Sequence, residues 1–193
     1  MEILEVLDTI ITNLLNLLGT WGALLGCIFI LFESIIPILP LSVFITLNFM
    51  TFGNIVGFFI SWLFTIMGCM MSYYIFKRGV SDSRLSKLKE SKTFGKIVKV
   101  VENMNFSSLA LLIAIPFTPA FAVNIAAGIC RVDSKKYLYA LMLGKISLVY
   151  FWGYVGVSLI EALKNPLILI KIVVLVLIVY TISLVLSKKL KVK

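Results

Sequence analysis

Apolar runs long enough to form membrane-spanning helices follow one another along most of the chain. Residues 54–76, 136–160 and 166–187 are apolar around the whole circumference of a helix, as helices embedded in lipid are. About 20 such residues are needed to cross the hydrocarbon core of a bilayer. We therefore predict a transmembrane helix in each of these three runs, and a fourth at residues 10–32.

Two further apolar runs, at 35–52 and 107–129, are each interrupted by the motif Pro-x-x-Pro. The prolines are Pro37 and Pro40 in the first run and Pro116 and Pro119 in the second. A proline inside a helix removes a backbone donor and clashes with the preceding turn, and in lipid the freed backbone groups need partners within the protein. Each run is therefore either a kinked spanning helix or a re-entrant hairpin, which enters and leaves the bilayer on one side.

The distribution of positive charge favours the hairpins. Segment 77–99 is rich in lysine and arginine. The chain ends with four more lysines, Lys188, Lys189, Lys191 and Lys193. The positive-inside rule places both basic segments in the cytoplasm, so only two of the three apolar runs between them can cross, and 107–129 must turn back. By the same argument 10–32 crosses outward, 35–52 enters from outside and returns, and 54–76 crosses inward.

The predicted fold is a single all-α integral membrane domain that covers residues 1–193. Each half is a re-entrant helical hairpin followed by a transmembrane helix, and the two hairpins enter from opposite faces, as in the inverted repeats of transporters. Between the halves, residues 82–104 place apolar side chains at helical spacing and lysines on the other faces. This pattern predicts an amphipathic helix on the cytoplasmic surface, with a solvated loop as the alternative.

Composition narrows the range of functions. The chain is 61% hydrophobic, well above the level of a soluble domain. Its net charge of +9 is explained by the cytoplasmic clusters, and nucleic-acid binding is not expected because no soluble basic domain is visible. Histidine is absent, and the cysteines are widely spaced, so we predict neither a disulfide framework nor a metal site. Phosphate-binding loops and nucleophile motifs are also missing, so we predict no enzyme activity and no cofactor.

Glu33 is the most informative polar residue. It lies in an apolar stretch just before the first proline pair. A carboxylate inside a membrane is energetically costly and indicates a functional site by default, so we predict that Glu33 binds and releases a proton. The alternative is that Glu33 reaches the outer surface as a loop residue.

Further candidates follow in the second half. Lys145 lies inside the 136–160 run, and a buried ammonium requires a partner such as Glu33 or a lipid phosphate; otherwise its side chain extends toward the inner face. Asn124 is expected to form hydrogen bonds with unpaired backbone groups of the second hairpin rather than with a ligand. Gly128 is expected to allow close helix packing, and Arg131 follows the hairpin on the cytoplasmic side.

These residues together resemble the DedA/VTT family, also described as SNARE-associated Golgi protein-like. The pattern Glu33-x-x-x-Pro37-x-x-Pro40 is similar to the first hairpin signature of that family. The second half resembles the VTT domain in the motif Pro116-x-x-Pro119, Asn124, Ala127-Gly128, Gly144 and Gly156. The resemblance covers about residues 20–160, and its motifs are specific as a set rather than one by one.

The resemblance implies a lipid transporter. Members of the family flip or scramble phospholipids or undecaprenyl phosphate between leaflets, and some are coupled to protons. By position, Glu33 would be the membrane acid and the four prolines the hairpin breakers. The chain departs from the family pattern at Ile113 and Pro119, where members carry arginine, and at Ser42, where an acid is usual. Lys145 and Arg131 are the basic residues available to bind a lipid headgroup instead.

The sequence therefore predicts a flippase or scramblase in the cell membrane, with the basic loop and the C-terminus in the cytoplasm. Its partners are membrane lipids, with protons as an optional coupling ion, and a homo-oligomer is left open. Two alternatives use the same architecture. One is a proton-coupled transporter of a small soluble solute, and the other is a membrane assembly factor that transports nothing.

Overall fold

The computed structural model describes residues 22, 25–35, 40–79, 94–163 and 165–189. Every regular element in these ranges is a helix, which confirms the predicted all-α class for the described part of the chain. In chain order the helices are α1 at 25–33, α2 at Leu41–Gly79, α3 at Phe94–Glu102, α4 at Phe106–Ala114, α5 at Ala120–Ile129, α6 at Ser134–Ala162 and α7 at Leu167–Lys189.

Three of these helices are long and apolar enough to cross a membrane: Leu41–Gly79, Ser134–Ala162 and Leu167–Ser187. The first is interrupted at Gly53, whose φ of 77° is a conformation that glycine adopts readily and other residues rarely do. The chain turns back there, and as a result Gly57 comes into close contact with the backbone of Asn48. The spanning part of α2 is therefore residues 54–79, and residues 41–52 form a short helix beside it.

The helices on either side of the first proline pair are antiparallel neighbours. The rings of Phe29 of α1 and Phe44 of α2 have their centroids 5.2 Å apart, and the Asn48 side-chain nitrogen lies 3.9 Å from the Cys27 sulfur. The two contacts run in opposite order along the two helices, which sets their relative direction. Pro37 lies outside the described residues, as does most of the predicted helix at 10–32.

The second proline pair separates α4 from α5. Asn105 caps α4 by accepting a hydrogen bond from the Ser108 backbone at 2.8 Å, and the helix ends before Pro116 because a residue preceding proline disfavours helical backbone. Pro119 then stands at the start of α5. Residues 107–129 are thus two short helices in the structure; whether either proline-interrupted segment is re-entrant stays a prediction.

The two halves share one packing contact at equivalent positions. In each half, two residues closely approach a glycine of the following long helix. They lie six and three positions before the first proline of the pair. These are Leu31 and Ser34 against Gly68, and Ala110 and Ile113 against Gly144. A methyl group added to Gly144 would lie 2.7 Å from the Ala110 carbonyl oxygen, so only glycine allows this approach.

Helices α2 and α6 form the centre of the molecule. The Trp62 indole of α2 donates to the Met142 carbonyl of α6 at 3.0 Å, and the rings of Tyr73 and Tyr137 pack with centroids 4.9 Å apart. Helix α7 packs on α6 through Ile172, and most of its remaining surface is exposed, as expected for a helix that faces lipid.

The described part of the predicted surface helix, α3, is helical and amphipathic. Val98 and Val101 are buried, whereas Lys99 is exposed. The buried side packs against α5, where the Cys130 thiol lies 3.5 Å from the Val98 carbonyl. Residues 82–93 lie outside the described part of the chain, so the structure addresses only the second half of this prediction.

Candidate functional site

The two proline-interrupted segments meet halfway along α6. The Asn124 side chain of α5 donates to the Ser34 carbonyl, just after α1, at 3.3 Å. Beside this contact lies a cleft of about 260 Å³. Residues from both segments and from α6 line it, among them Glu33, Ser42, Pro116, Thr118, Pro119 and Trp152. The structure therefore brings predicted site residues from both halves into one place.

Glu33 is the last residue of α1 and lines this cleft, which we call the Glu33 cleft. Its side chain is half-buried, and only Thr118 and Ala120 line both this cleft and the small cavity beside Lys145. Opposite charges in a poorly solvated place stabilise one another. The predicted pairing of Glu33 with Lys145 is therefore compatible with their positions.

Lys145 projects from α6 into the protein interior. The residue is only 1% exposed, whereas a lysine that extends to the membrane surface keeps its charged tip in water. Its side chain lies beside Ile113, Thr118 and Val123, around a cavity just large enough for about one water molecule. The second proline break and α5 thus enclose the positive charge.

Asn124 joins three parts of the site. It is buried, it accepts a hydrogen bond from the Tyr137 hydroxyl at 2.6 Å, and its amide nitrogen reaches Ser34. The free backbone that it bonds thus belongs to the first segment, not to its own. The reason is that the buried face of α5 is turned toward α1 and α6.

The other predicted residues differ in their distance from the cleft. Pro40 is exposed just before α2. Gly128 packs on α2, where an added methyl group would lie 2.5 Å from the Tyr73 carbonyl oxygen. Arg131 is exposed, with a left-handed φ of 51°, and it precedes α6. Helical rise along α6 separates it from Lys145 by about 16 Å, so the two basic residues proposed to bind a headgroup are not brought together.

Comparison with known proteins identifies the family of the chain. The model of the VTT domain matches residues 39–158, which contain the second proline pair, Lys145 and most of the cleft. The chain belongs to the VTT domain family, the DedA family. Glu33 lies outside the matched part.

Two relatives of this VTT protein come from Bacillus subtilis (strain 168). The uncharacterized membrane protein YhjE is 29% identical over 147 residues, which are 76% of this chain and 71% of YhjE. The uncharacterized protein YqeD is 22% identical over 128 residues, which are 66% of this chain and 62% of YqeD. No solved structure matches the chain significantly.

Sequence reasoning missed several residues that line the Glu33 cleft of this VTT protein. Thr118, between the second prolines, and Ser42, just after the first pair, both line it; their hydroxyl groups next to a proline break were the available signal. Trp152 also lines it, but its place depends on how α6 packs. Within the described ranges, no group of acidic, cysteine or histidine side chains is arranged to hold a metal ion.

A second polar cluster ties the end of α2 to the start of α6. The Lys77 ammonium donates to the Tyr73 hydroxyl at 2.8 Å and to the Ser134 hydroxyl at 3.0 Å, and the Tyr73 hydroxyl donates to the Val132 carbonyl. In the sequence Lys77 was only one member of the basic segment. In the structure it anchors two spanning helices.

Proposed function

We propose that this VTT protein moves lipids between the two leaflets of the bilayer. The observation that carries the proposal is the Glu33 cleft, where both proline-interrupted segments meet beside the middle of α6. Because α6 is long and apolar enough to span the membrane, its middle lies near the bilayer midplane. A cleft at that depth that offers the polar side chains of Glu33, Ser42 and Thr118 lowers the barrier that hydrocarbon imposes on a headgroup.

The surroundings of the cleft suit a molecule with a polar head and an apolar tail. Ser42 and Trp152 line both the cleft and a neighbouring groove of about 300 Å³. The groove runs between the first part of α2 and the second half of α6, and its lining is mostly apolar, with Val155 and Leu159 as examples. A headgroup in the cleft can therefore keep its tail in the groove while it passes.

The positions of the basic residues support the proposed topology. Lys99 of α3 and Lys189 of α7 line one and the same surface cleft, so both basic segments lie at one end of the molecule. Two crossings between them, by α6 and α7, produce this arrangement, which favours a re-entrant hairpin at 107–129. We propose that 35–52 is a second hairpin that enters from the opposite face. We propose that the basic end is cytoplasmic and that the bilayer is the cell membrane.

Lys145 and Glu33 give the site its chemistry. A buried ammonium attracts a lipid phosphate, so we propose a phospholipid or undecaprenyl phosphate as the substrate. A proton on Glu33 would remove the negative charge that attracts Lys145 and leave Lys145 available to the phosphate. Coupling of lipid movement to protons would then follow from the pairing of these two side chains.

Translocation in liposomes tests the proposal. The purified protein is expected to accelerate the exchange of fluorescent phospholipid or of undecaprenyl phosphate between leaflets. Lys145→Met keeps the length of the side chain without its charge, and it should slow exchange by about tenfold or more. Lys171→Met, at an exposed site on α7, is the matched control and should leave the rate unchanged. Failure to accelerate any lipid in a panel of headgroups would refute the function.

A further inference from the structure

We propose that a second, basic cleft binds the phosphate headgroup of an anionic membrane lipid. This basic cleft has a volume of about 460 Å³ and lies between α3, the start of α4 and the end of α7. It shares no lining residue with the Glu33 cleft. The inference does not rest on the proposed transport function, because the lipid bound here would hold α7 and α3 together and would not be transported.

The charge of the basic cleft is complementary to a phosphate. Lys99 and Lys189 are exposed and line it, together with the side chains of Asn103, Asn105 and Ser108. No acidic residue is among the described residues of the lining. The two ammonium groups, the amides and the hydroxyl offer hydrogen-bond donors, which are the groups that a phosphodiester requires.

The floor of the basic cleft is held in place by bonds that leave its charges available. The Lys136 ammonium donates to the Met104 carbonyl at 2.7 Å, and Asn103 donates to the Lys99 carbonyl at 2.9 Å. Asn105 caps α4. A pre-formed site loses less conformational freedom when it binds its ligand.

A lipid fits the site better than a soluble anion does, because an apolar strip leads to it. Ile182 and Val185 of α7 are 51% and 60% exposed, and they precede Lys189 by seven and four residues, so all three share one face of the helix. Tails lying along this strip would place the headgroup at Lys189. Val100 and Met104 add apolar lining on the other side.

The bound lipid would join α7 to α3. Among the described elements α7 packs on α6, and the end of α7 faces α3 across the basic cleft. A phosphate between Lys99 and Lys189 would neutralise their repulsion and bridge the two helices. Anionic lipid should therefore raise the thermal stability of the whole protein.

Thermal unfolding of the full chain in detergent, titrated with phosphatidylglycerol or phosphatidylcholine, tests this inference. Phosphatidylglycerol is expected to raise Tm, and the Lys99→Gln/Lys189→Gln variant to need about tenfold more of it for the same shift. Lys171→Gln neutralises an exposed lysine of α7 that lies outside the basic cleft, and it should respond like the wild type. Lys189→Arg keeps the charge and should also respond normally.

The contrary results are equally specific. Unfolding of the double variant in phosphatidylcholine alone, at the wild-type Tm, establishes that it folds. An undiminished response of that variant to phosphatidylglycerol would overturn the inference. So would equal responses to phosphatidylglycerol and phosphatidylcholine. If glycerol phosphate, which has no tails, stabilised the protein at the same concentrations as the lipid, the assignment to a lipid would be wrong.

Discussion

At the scale of single residues, the main feature is a buried lysine whose small cavity adjoins the cleft that contains a glutamate of the other half. Lys145 is enclosed by the second proline break and α5, and Glu33 opens onto the adjoining cleft. Removing one member of such a pair leaves the other without compensation, and that loss is larger than the net contribution of the intact pair. The two residues should therefore behave as a coupled unit.

A double-mutant cycle measures this coupling. We expect Lys145→Met to lower the free energy of unfolding by about 1–3 kcal/mol, because the Glu33 carboxylate then lacks its positive neighbour. Glu33→Gln/Lys145→Met should recover part of that loss, since no charge is left uncompensated. Unfolding titrations with SDS provide the measurement. Strictly additive effects would show that the two charges do not interact.

Moving the positive charge provides a second test at this scale. Ile113 borders the same small cavity as Lys145, and it stands where the resemblance to DedA proteins places an arginine. We expect Ile113→Lys/Lys145→Ile to restore lipid exchange to within about threefold of the wild type, because only the helix that supplies the charge has changed. Lys145→Ile alone is the reference and should be slow. No recovery in the pair would show that the site needs its lysine on α6.

At the scale of elements, proline and glycine determine where helices end and how closely they pack. The prolines separate α4 from α5 and precede α2, whereas Gly53 turns the chain back inside α2. Gly68 and Gly144 then admit the segments that precede the two proline pairs. The repeated contact means that both halves use one packing solution, in which a short broken segment lies against a small residue of a spanning helix.

Substitution of these glycines should therefore have matching effects. Gly68→Ala and Gly144→Ala are each expected to destabilise the protein by about 1–3 kcal/mol, because the added methyl group forces backbone apart. Gly79→Ala is the control, since no atom of the described residues lies within 4 Å of its added methyl group. Thermal unfolding in one detergent would compare the three variants. If Gly144→Ala were as stable as Gly79→Ala, the close approach of α4 to α6 would be incorrect.

At the scale of the whole molecule, the shared basic cleft makes a prediction about topology. Single cysteines are introduced at Lys99, Lys189 and Pro166 into a protein whose three native cysteines are replaced. We expect cysteines at 99 and 189 to be labelled by an impermeant reagent from the same side of the membrane, and the cysteine at 166 from the opposite side, because α7 spans between 166 and 189. Labelling of 99 and 189 from different sides would contradict the re-entrant topology.

Much of the fold was predictable because its signals are local. Apolar length identified the spanning helices at 136–160 and 166–187, and the prolines marked the breaks near α2 and between α4 and α5. The turn at Gly53 was predictable only as a boundary between 35–52 and 54–76. Its left-handed backbone and the packing of residues 41–52 along residues 54–79 depend on contacts that a local pattern does not contain.

The candidate site divides in the same way. Glu33, Lys145 and the prolines were identifiable because a charge or a helix breaker in an apolar run is conspicuous. Glu33 was also named as one possible partner of Lys145, but the cleft that unites Glu33 with the second proline pair was not identifiable, and neither was the separation of Arg131 from Lys145. Asn124 illustrates the limit, since its type predicted a bond to free backbone, whereas only the structure shows that the backbone belongs to Ser34.

The sequence by itself determined that this protein is embedded in a bilayer and which family it belongs to. It also determined where the helices are broken. Composition, periodicity and proline carry this information because they act over a few residues. Tertiary structure alone decided that the two breaks meet, that Lys145 is buried, and that Trp152 and Ser42 complete the cleft. These facts depend on the packing of segments far apart in the chain, and packing is settled by the shapes of whole helix faces rather than by any one residue.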